Sequence, residues 1–168
     1  TKASLNVHCG HDDYHCIDDT GFIQVMARDA QEAADLNLIM RKIAELALTP
    51  AIVAQDGFLT THLIESLQVP ERQLIRDFLG LPDDMIDCPT PAQKMIYGRQ
   101  RRRIPTSWDV DNPVSTGSVQ NQDAYMQTVA AQRPYFFDHV NELAQAAMDE
   151  SYELTGRKYN PVGCYKTD

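Results

Sequence analysis

The first third of the chain combines short apolar runs with one long helical pattern. Apolar runs at residues 4–9 and 22–26 predict β-strands. From residue 30 to residue 48 apolar positions recur every three or four residues, which predicts a helix with one buried stripe and Asp29 as its N-cap. Residues 51–54 are apolar throughout, as in a parallel strand covered on both faces. This order indicates a parallel α/β sheet, with sites beyond the carboxyl ends of its strands.

The remaining pattern is less regular. A helix is expected to open at Pro70 and to run through Phe78, with Gly80 as its stop signal. The proline-containing stretch 80–117 has little periodicity and predicts a long irregular excursion packed on the rest of the domain. A helical pattern resumes over 122–155, interrupted at Pro134. We therefore expect residues 1–168 to belong to one domain.

Charge and composition exclude several classes of partner. The 24 acidic and 15 basic side chains give a net charge of −9, which argues against binding to nucleic acid or to an anionic membrane. The chain has neither a long apolar run nor a signal-peptide pattern, so we expect a cytoplasmic protein with reduced cysteines. It opens without methionine and almost at once enters a predicted strand, which indicates a piece of a larger protein.

A polar loop follows the first predicted strand and contains Cys9, His11, His15 and Cys16. Thiolate and imidazole, with the neighbouring carboxylates, are possible zinc or iron ligands, although no second Cys/His pair follows along the chain. A polar active-site loop without a metal explains the same residues. Either histidine could also act as an acid or base near neutral pH. These alternatives stay open at the level of sequence.

A second candidate segment, 56–62, directly follows the predicted strand 51–54. Its glycine permits a tight turn, and its hydroxyls and imidazole offer donors and acceptors at the sheet edge, although a plain structural turn is the alternative. The arginine-rich run 99–103, with Trp108 beyond it, lacks the aromatic interleaving of nucleic-acid-binding segments. We expect these arginines to pair with acidic groups on this chain or on an adjoining domain.

Several short motifs, taken in order, resemble the first domain of the pyruvate:ferredoxin (2-oxoacid:acceptor) oxidoreductases. Any one of them is weak, but their common order is hard to obtain by chance. They are the predicted strand and loop from Ser4 to Asp13, Thr20-Gly21-Phe22, Gln31-Glu32-Ala33 with Asp35, Asp56-Gly57-Phe58 with Thr60 and His62, the stretch from Gly117 to Tyr125, and Thr155-Gly156-Arg157-Lys158-Tyr159. The resemblance implies an incomplete α/β three-layer sandwich with a mainly parallel sheet, the later part of a pyrimidine-type thiamine-diphosphate domain.

The resemblance also implies a function. Members of the family decarboxylate a 2-oxoacid on thiamine diphosphate, pass electrons through iron–sulfur clusters to ferredoxin or flavodoxin, and transfer the acyl group to coenzyme A. Here thiamine diphosphate with Mg²⁺ would be shared with another domain, and the [4Fe–4S] clusters would lie elsewhere in the complex. The implied partners are other domains or subunits, in a homo- or hetero-oligomer, and the isolated chain would be inactive.

No catalytic residue is assigned with certainty, but the resemblance implies two groups of site residues. The substrate-loop candidates are Asp18, Asp19, Thr20, Gly21 and Phe22. The cofactor-side or domain-contact candidates are Asp56, Gly57, Phe58, Thr60, Thr61, His62 and Asn121.

Three departures from the family pattern bear on the substrate and on the domain contact. Asp18-Asp19 stands where the family has Arg-Gln, whose arginine binds the substrate carboxylate, and an aspartate there should repel that group. Leu59 and Leu63 replace charged residues. The chain is therefore expected to serve either a catalytic assembly with altered specificity or a divergent, non-catalytic assembly or regulatory role.

Overall fold

The fold is known from a computed structural model that describes residues 6–8, 10–106, 110–111 and 119–164. Its strands form two pairs, with helices before, between and after them. The elements are α1 (Asp12–His15), β1 (Ile23–Ala27), α2 (Ala30–Ala47), β2 (Ala51–Gln55), α3 (Arg72–Leu79), β3 (Met85–Asp87), α4 (Pro91–Tyr97), β4 (Gln100–Arg102), α5 (Gln122–Tyr135) and α6 (Val140–Thr155).

A parallel pair of strands lies at the centre of the fold, as the sequence predicted. β1 and β2 pair in the register Ile23 to Ala51 through Ala27 to Gln55. The crossover between them is α2, whose N-cap Asp29 accepts a hydrogen bond from the Glu32 amide at 2.8 Å. The α/β class and the β1–α2–β2 order are therefore confirmed.

The core lies between this sheet and two packed helices, α2 and α6. Ile39 and Ile43, one turn apart on α2, are completely buried. Met148 of α6 joins the same cluster, and Ile23, Val25, Ala27, Ala51 and Val53 of the sheet pack against it. Alternate residues of each strand thus face the helices, as the twofold repeat of a strand requires.

The opposite face of the sheet is less covered than the sequence predicted. All of β2 except Gln55 is half-buried, and Met26 of β1 is exposed. The segment after α1 lies on this face, where the carbonyl of Ile17 accepts a hydrogen bond from Gln24 Nε2 at 3.1 Å. Within the described residues this face of the sheet is therefore covered only in part, by this short segment.

The predicted strand at 4–9 is not found in its described part. Val7 and His8 lie in a turn, and the His8 amide bonds to the Asn6 side chain at 3.0 Å. This local side-chain bond offers the backbone an alternative to a strand ladder. Residues 4, 5 and 9 lie outside the described residues.

The stretch 80–117 was predicted to be irregular but contains regular structure. β3 and β4 pair antiparallel, with α4 between them. Thr90 caps α4 by accepting a hydrogen bond from the Gln93 amide, and Pro91 occupies the first turn, where no amide donor is needed. These elements are only three to seven residues long, too short to leave a periodic signal in the sequence.

The arginines of this stretch divide between two kinds of partner. Arg102 pairs with Asp83, as expected of an arginine near an acidic group. Arg101 is instead buried and donates to the carbonyls of Glu45 and Leu46 at 2.8 and 3.3 Å, near the C-terminus of α2. The acid-pairing prediction is wrong for Arg101, because unpaired helix carbonyls attract a cation as a carboxylate does. Trp108 lies outside the described residues.

The remaining helices follow the sequence pattern closely. α3 ends at Leu79, before Gly80, and α6 ends at Thr155, before Gly156, which adopts a left-handed conformation (φ 73°). The break between α5 and α6 falls at Phe136, two residues beyond Pro134. In the described part of the chain, no helix has the length and apolarity needed to cross a membrane.

Candidate functional site

The loop after β2 is closed by its own side chains. Asp56 Oδ1 accepts hydrogen bonds from the amides of Phe58 and Leu59 at 2.9 and 2.5 Å, which makes a side-chain-capped turn. The His62 Nδ1 lies 3.1 Å from the Gly57 carbonyl oxygen. Through these contacts the loop folds back on itself at the carboxyl end of β2. This is the end of a parallel sheet at which ligands bind.

This loop presents an aromatic surface and two hydroxyls of different exposure. The rings of Phe58 and His62 stack with centroids 4.6 Å apart and planes 22° apart. Phe58 is 39% exposed, so the stack lies at the surface. Thr60 is buried, whereas Thr61 is exposed and its Oγ1 lies 2.9 Å from His62 Nδ1. The arrangement offers a flat ring face with polar groups beside it.

The polar loop before α1 approaches the same end of the sheet. His11 Nε2 lies 3.8 Å from Asp56 Oδ2. His11 holds a left-handed backbone conformation (φ 52°), uncommon for a non-glycine residue, directly before α1. The structure therefore brings His11, from the first candidate loop, to Asp56, from the second.

The substrate-loop candidates form a short 3-10 turn before β1. Asp18–Thr20 is the turn, Thr20 Oγ1 donates to the Ile17 carbonyl at 2.6 Å, and Gly21 follows with φ 81°. Asp19 and Phe22 are exposed. The positive φ explains the glycine, because it carries no Cβ to clash in that conformation.

Asp18 has two partners on α1. His15 Nδ1 lies 3.1 Å from Asp18 Oδ2, in a pair exposed to solvent. Partial burial, together with the negative charge of Asp18, raises the pKa of Tyr14 above its ordinary value. The aspartate at the position expected for an arginine is thus accompanied by an imidazole that can carry a positive charge.

The two groups of candidates lie at opposite ends of the parallel sheet. Phe22 precedes the start of β1, and Asp56 follows the end of β2, so a strand of five residues separates them. In this register six residue steps along the strand direction separate Phe22 from Asp56, a distance of about 20 Å at the usual rise per residue. Because α1 lies between His11 and the 3-10 turn, it links both ends, through His11 to Asp56 and through His15 to Asp18.

Asn121 stands apart from both loops in the chain and begins α5. Its carbonyl accepts a hydrogen bond from the Tyr125 amide at 2.8 Å, while its side chain makes no capping bond. The helix it opens is followed by Phe137, whose ring lies 4.0 Å from the point where a Cβ would stand on Gly21. The sequence reasoning missed Phe137; the aromatic run 135–137 was its only signal.

The metal alternative finds no assembled ligand set among the residues that the structure describes. No three His, Cys, Asp or Glu side chains come together there in a way that could hold an ion. His11 and His15 pair with different carboxylates, and Cys16 is exposed. Cys9 lies outside the described residues.

Two of the sequence motifs meet at a buried carboxylate, Asp35, which was not among the predicted site residues. Asp35 is 3% exposed and accepts hydrogen bonds from Arg157 Nε and Nη2 at 2.5 and 2.9 Å. The Tyr159 hydroxyl donates to it at 2.6 Å, and Gln31 Nε2 at 3.2 Å. Burial would raise the pKa of Asp35, but the bonds from Arg157 and Tyr159 outweigh it and hold that pKa below its ordinary value.

Comparison with known proteins identifies the family of the chain. Residues 1–149 match the family described as pyruvate flavodoxin/ferredoxin oxidoreductase, thiamine diphosphate-binding. The chain is 30% identical over 156 residues to the pyruvate-flavodoxin oxidoreductase of Trichormus variabilis, covering 93% of this chain and 12% of that protein. It is 30% identical over 173 residues to the pyruvate synthase subunit PorA of Pyrococcus furiosus, covering 99% and 38%. The chain thus spans less than two-fifths of the length of these curated relatives.

Proposed function

Because the chain belongs to the thiamine-diphosphate-binding family of pyruvate flavodoxin/ferredoxin oxidoreductases, we propose that it forms one wall of the thiamine site in a 2-oxoacid oxidoreductase. The reaction is the oxidative decarboxylation of pyruvate or a related 2-oxoacid to an acyl-CoA, with ferredoxin or flavodoxin as electron acceptor. The observation that carries the proposal is the closed aromatic loop 56–62 at the carboxyl end of β2. We also propose that the assembly works in the cytoplasm.

The described residues fit one side of the cofactor. Thiamine diphosphate, when bound, supplies the carbanion chemistry of decarboxylation. The stacked rings of Phe58 and His62 offer a flat surface for a heterocyclic ring, and Thr61 a hydroxyl beside it. Among the described residues no three His, Cys, Asp or Glu side chains come together in a way that could hold an ion. We therefore assign the Mg²⁺, with the diphosphate that it would bind, and the [4Fe–4S] clusters to other parts of the assembly.

The loop beyond the aromatic stack supports contact with a second domain. Leu59, Leu63 and Ile64 are 67%, 60% and 104% exposed. Contiguous exposed apolar side chains mark surfaces that another protein covers. We assign them to the contact with the domain that holds the diphosphate, a contact that would also exclude water from the cofactor.

The turn before β1 is proposed to face the substrate. An aspartate there repels a carboxylate, and the imidazole of His15, 3.1 Å from Asp18 Oδ2, can offset part of that repulsion. The turn should therefore bind a monocarboxylate less tightly than an arginine would. The pair is therefore assigned a role in substrate preference.

The direct test is a 2-oxoacid-dependent viologen reduction assay, with thiamine diphosphate, Mg²⁺ and coenzyme A, on the complete native assembly containing this chain. Turnover with any member of a broad acid panel supports the proposal. A Phe58→Ala variant should then raise the thiamine diphosphate concentration needed for half-maximal rate by about tenfold, the equivalent of about 1.4 kcal/mol. The matched control is Tyr125→Ala, which removes a comparably exposed aromatic ring outside this loop.

A second candidate function is a divergent domain that serves assembly or regulation without catalysis. It is favoured by Asp18, which stands at the position expected for an arginine. Inactivity of the complete assembly toward the whole acid panel, with thiamine diphosphate still absent after purification and reconstitution, would favour it. Cofactor-dependent turnover would remove it.

A further inference from the structure

The segment that follows the candidate loop 56–62 is fastened to the N-terminus of α2. Glu65 Oε2 accepts a hydrogen bond from the Ala30 amide at 2.9 Å. Ala30 is the first residue of α2, so its amide has no carbonyl acceptor within the helix. Two residues lie between His62 and Glu65, so their Cα atoms can be at most about 11 Å apart. The bond to Glu65 therefore holds the end of the loop close to the start of α2.

A carboxylate is well suited to this position. The first amides of an α-helix carry partial positive charge and bind anions. At α2, a helix of 18 residues, the Asp29 side chain accepts from the Glu32 amide at 2.8 Å, and Glu65 accepts from the amide of Ala30. Hydrogen bonds from an amide to a carboxylate are stronger than those between neutral groups. The segment after the loop thus supplies an anion to this end of α2.

A second contact lies three residues further along the chain. Gln31 Oε1 accepts from the Gln68 amide at 2.7 Å, and Gln31 Nε2 donates to the Gln68 carbonyl at 3.1 Å. One side-chain amide thus makes both of the backbone bonds that an opposite residue of an antiparallel strand would make. Two hydrogen bonds have to break before the backbone of Gln68 can leave α2.

Asp35 fixes the orientation of the Gln31 amide. Gln31 Nε2 also donates to Asp35 Oδ1, at 3.2 Å. Because its pKa lies below the ordinary value, the Asp35 carboxyl is ionised at neutral pH and can only accept hydrogen bonds. The NH₂ group of Gln31 must therefore face Asp35, which leaves Oε1 to accept from the Gln68 amide. The buried pair of Asp35 with Arg157 thereby supports the contact that holds the segment after the loop.

We propose that Glu65 and Gln31 are positioning residues of the thiamine site. Their bonds hold the loop 56–62 against α2, so that the stack of Phe58 on His62 is ordered before the cofactor binds. The inference rests on the proposed function of that loop. A surface that is already ordered loses less conformational entropy when its ligand binds. Both residues therefore act on the affinity for thiamine diphosphate and not on the chemical step.

The test uses the complete native assembly, depleted of cofactor, with Glu65→Ala or Gln31→Ala in this chain. Each variant removes one of the two contacts, so the Kd of thiamine diphosphate, titrated calorimetrically with Mg²⁺ present, should rise by about fivefold or more. Glu65→Gln keeps an acceptor for the Ala30 amide and should return the Kd to within about twofold of the parent value. A merely structural role would lower the number of binding sites per assembly at an unchanged Kd, which would overturn the proposal.

Thr90→Ala is the matched control. The Thr90 side chain accepts from the Gln93 amide at the start of α4, so this variant also removes a helix cap. It does so at the other end of α2, where Gln93 Nε2 donates to the Leu46 carbonyl at 2.7 Å. The Kd should therefore stay at the parent value. A rise as large as that in Glu65→Ala would overturn the proposal, because any lost cap would then weaken cofactor binding.

Amide hydrogen exchange of the peptide 56–62 reports on the loop without cofactor or turnover. The amides of Phe58 and Leu59 bond to Asp56 Oδ1. They should exchange about fivefold faster or more in Glu65→Ala and Gln31→Ala than in the parent and in Thr90→Ala. Equal exchange in all four assemblies would overturn the proposal, whether or not the assembly turns over a 2-oxoacid.

Phe58→Ala separates this inference from the proposed function. If Phe58→Ala raises the Kd of thiamine diphosphate and the variants of Glu65 and Gln31 do not, the positioning role is wrong, although the loop still faces the cofactor. If none of the three variants raises the Kd, the proposed function of the loop fails, and the positioning role fails with it.

Discussion

Arg157 and Asp35, 122 residues apart in the sequence, form a two-point ion pair at the end of the core. The guanidinium donates through Nε and Nη2 to the two carboxylate oxygens, and this hydrogen bonding to Asp35 is the main reason that the pKa of Arg157 lies above its ordinary value. Since α2 carries Asp35 and Arg157 follows α6, the pair joins the segment after α6 to the helix that crosses the sheet.

Replacing Arg157 by alanine should lower the free energy of unfolding by about 3 kcal/mol, because it leaves a buried carboxylate without its cation. Urea unfolding of the parent and of the variant, followed by circular dichroism, measures the change in the free energy of unfolding. Arg133 pairs with Asp138 on the surface at 3.3 Å, and Arg133→Ala should cost less than about 1 kcal/mol. Equal losses in the two variants would contradict a special role for Arg157.

Stability should also fall in acid because of Asp35. Its folded-state pKa lies below the ordinary value, so the ionised form is favoured by folding. This contribution is complete above the unfolded pKa of about 4 and is lost as the pH falls through the lower, folded pKa. Asp35→Asn should therefore be less stable than the parent at pH 7 and lose less stability between pH 5 and pH 3. Thermal melts across that range provide the measurement. If the parent and the variant lost the same stability between pH 5 and pH 3, the assignment to Asp35 would be disproved.

Arg101 should be the most important arginine of the run 99–103 for stability. Its guanidinium is buried, donates to Gln93 Oε1 at 2.7 Å, and bonds to the last carbonyls of α2. Arg101→Ala should cost about 3 kcal/mol, since several buried acceptors lose their donor at once. The neighbouring Arg102 pairs with Asp83 at the surface, and its alanine variant should cost under about 1 kcal/mol. Similar melting temperatures for the two variants would refute this ranking.

Gly80 and Gly98 provide a matched pair for separating backbone strain from crowding. Both have strongly positive φ values, 74° and 82°. A Cβ on Gly80 would stand 2.7 Å from Arg103 Nε, whereas a Cβ on Gly98 would meet nothing within 4 Å. Gly98→Ala should cost about 1–3 kcal/mol of backbone strain, and Gly80→Ala should cost more because Arg103 must also move. Chemical denaturation of both variants tests this order, and a smaller loss for Gly80→Ala would contradict the crowding.

Asp18→Arg should change which acids are turned over by the active assembly. A guanidinium offers two parallel donors to a carboxylate, so turnover of pyruvate at low concentration should rise by at least tenfold. His15→Ala keeps Asp18 but removes its partner, and should lower the same rate. Relative kcat/KM across a panel of 2-oxoacids is the measurement; an unchanged profile in both variants would mean that the turn does not face the substrate.

The strength of local signals decided how much of the fold could be predicted. α2 was predicted within one residue because 18 residues of helical periodicity and an N-cap identify the same helix. The strands β3 and β4, three residues each, were missed because so short an alternation is indistinguishable from loop. The strand at 4–9 was expected from composition. In its described part, however, the Asn6 side chain accepts a hydrogen bond from the His8 amide and stabilises a turn instead.

The sequence by itself determined the α/β class, the β1–α2–β2 unit, the C-terminal ends of α2, α3 and α6, and the family, because these depend on patterns within a few neighbouring residues and on short motifs. Only the tertiary structure decided that the segment around α1 contacts both ends of the sheet, through His11 to Asp56 and through His15 to Asp18. The tertiary structure also decided that Asp35 pairs with Arg157, and that the Arg101 guanidinium donates to helix carbonyls rather than to carboxylates. Ion pairs and helix-terminal contacts between distant residues depend on how the helices and strands pack against one another. No pattern within a few neighbouring residues encodes that packing.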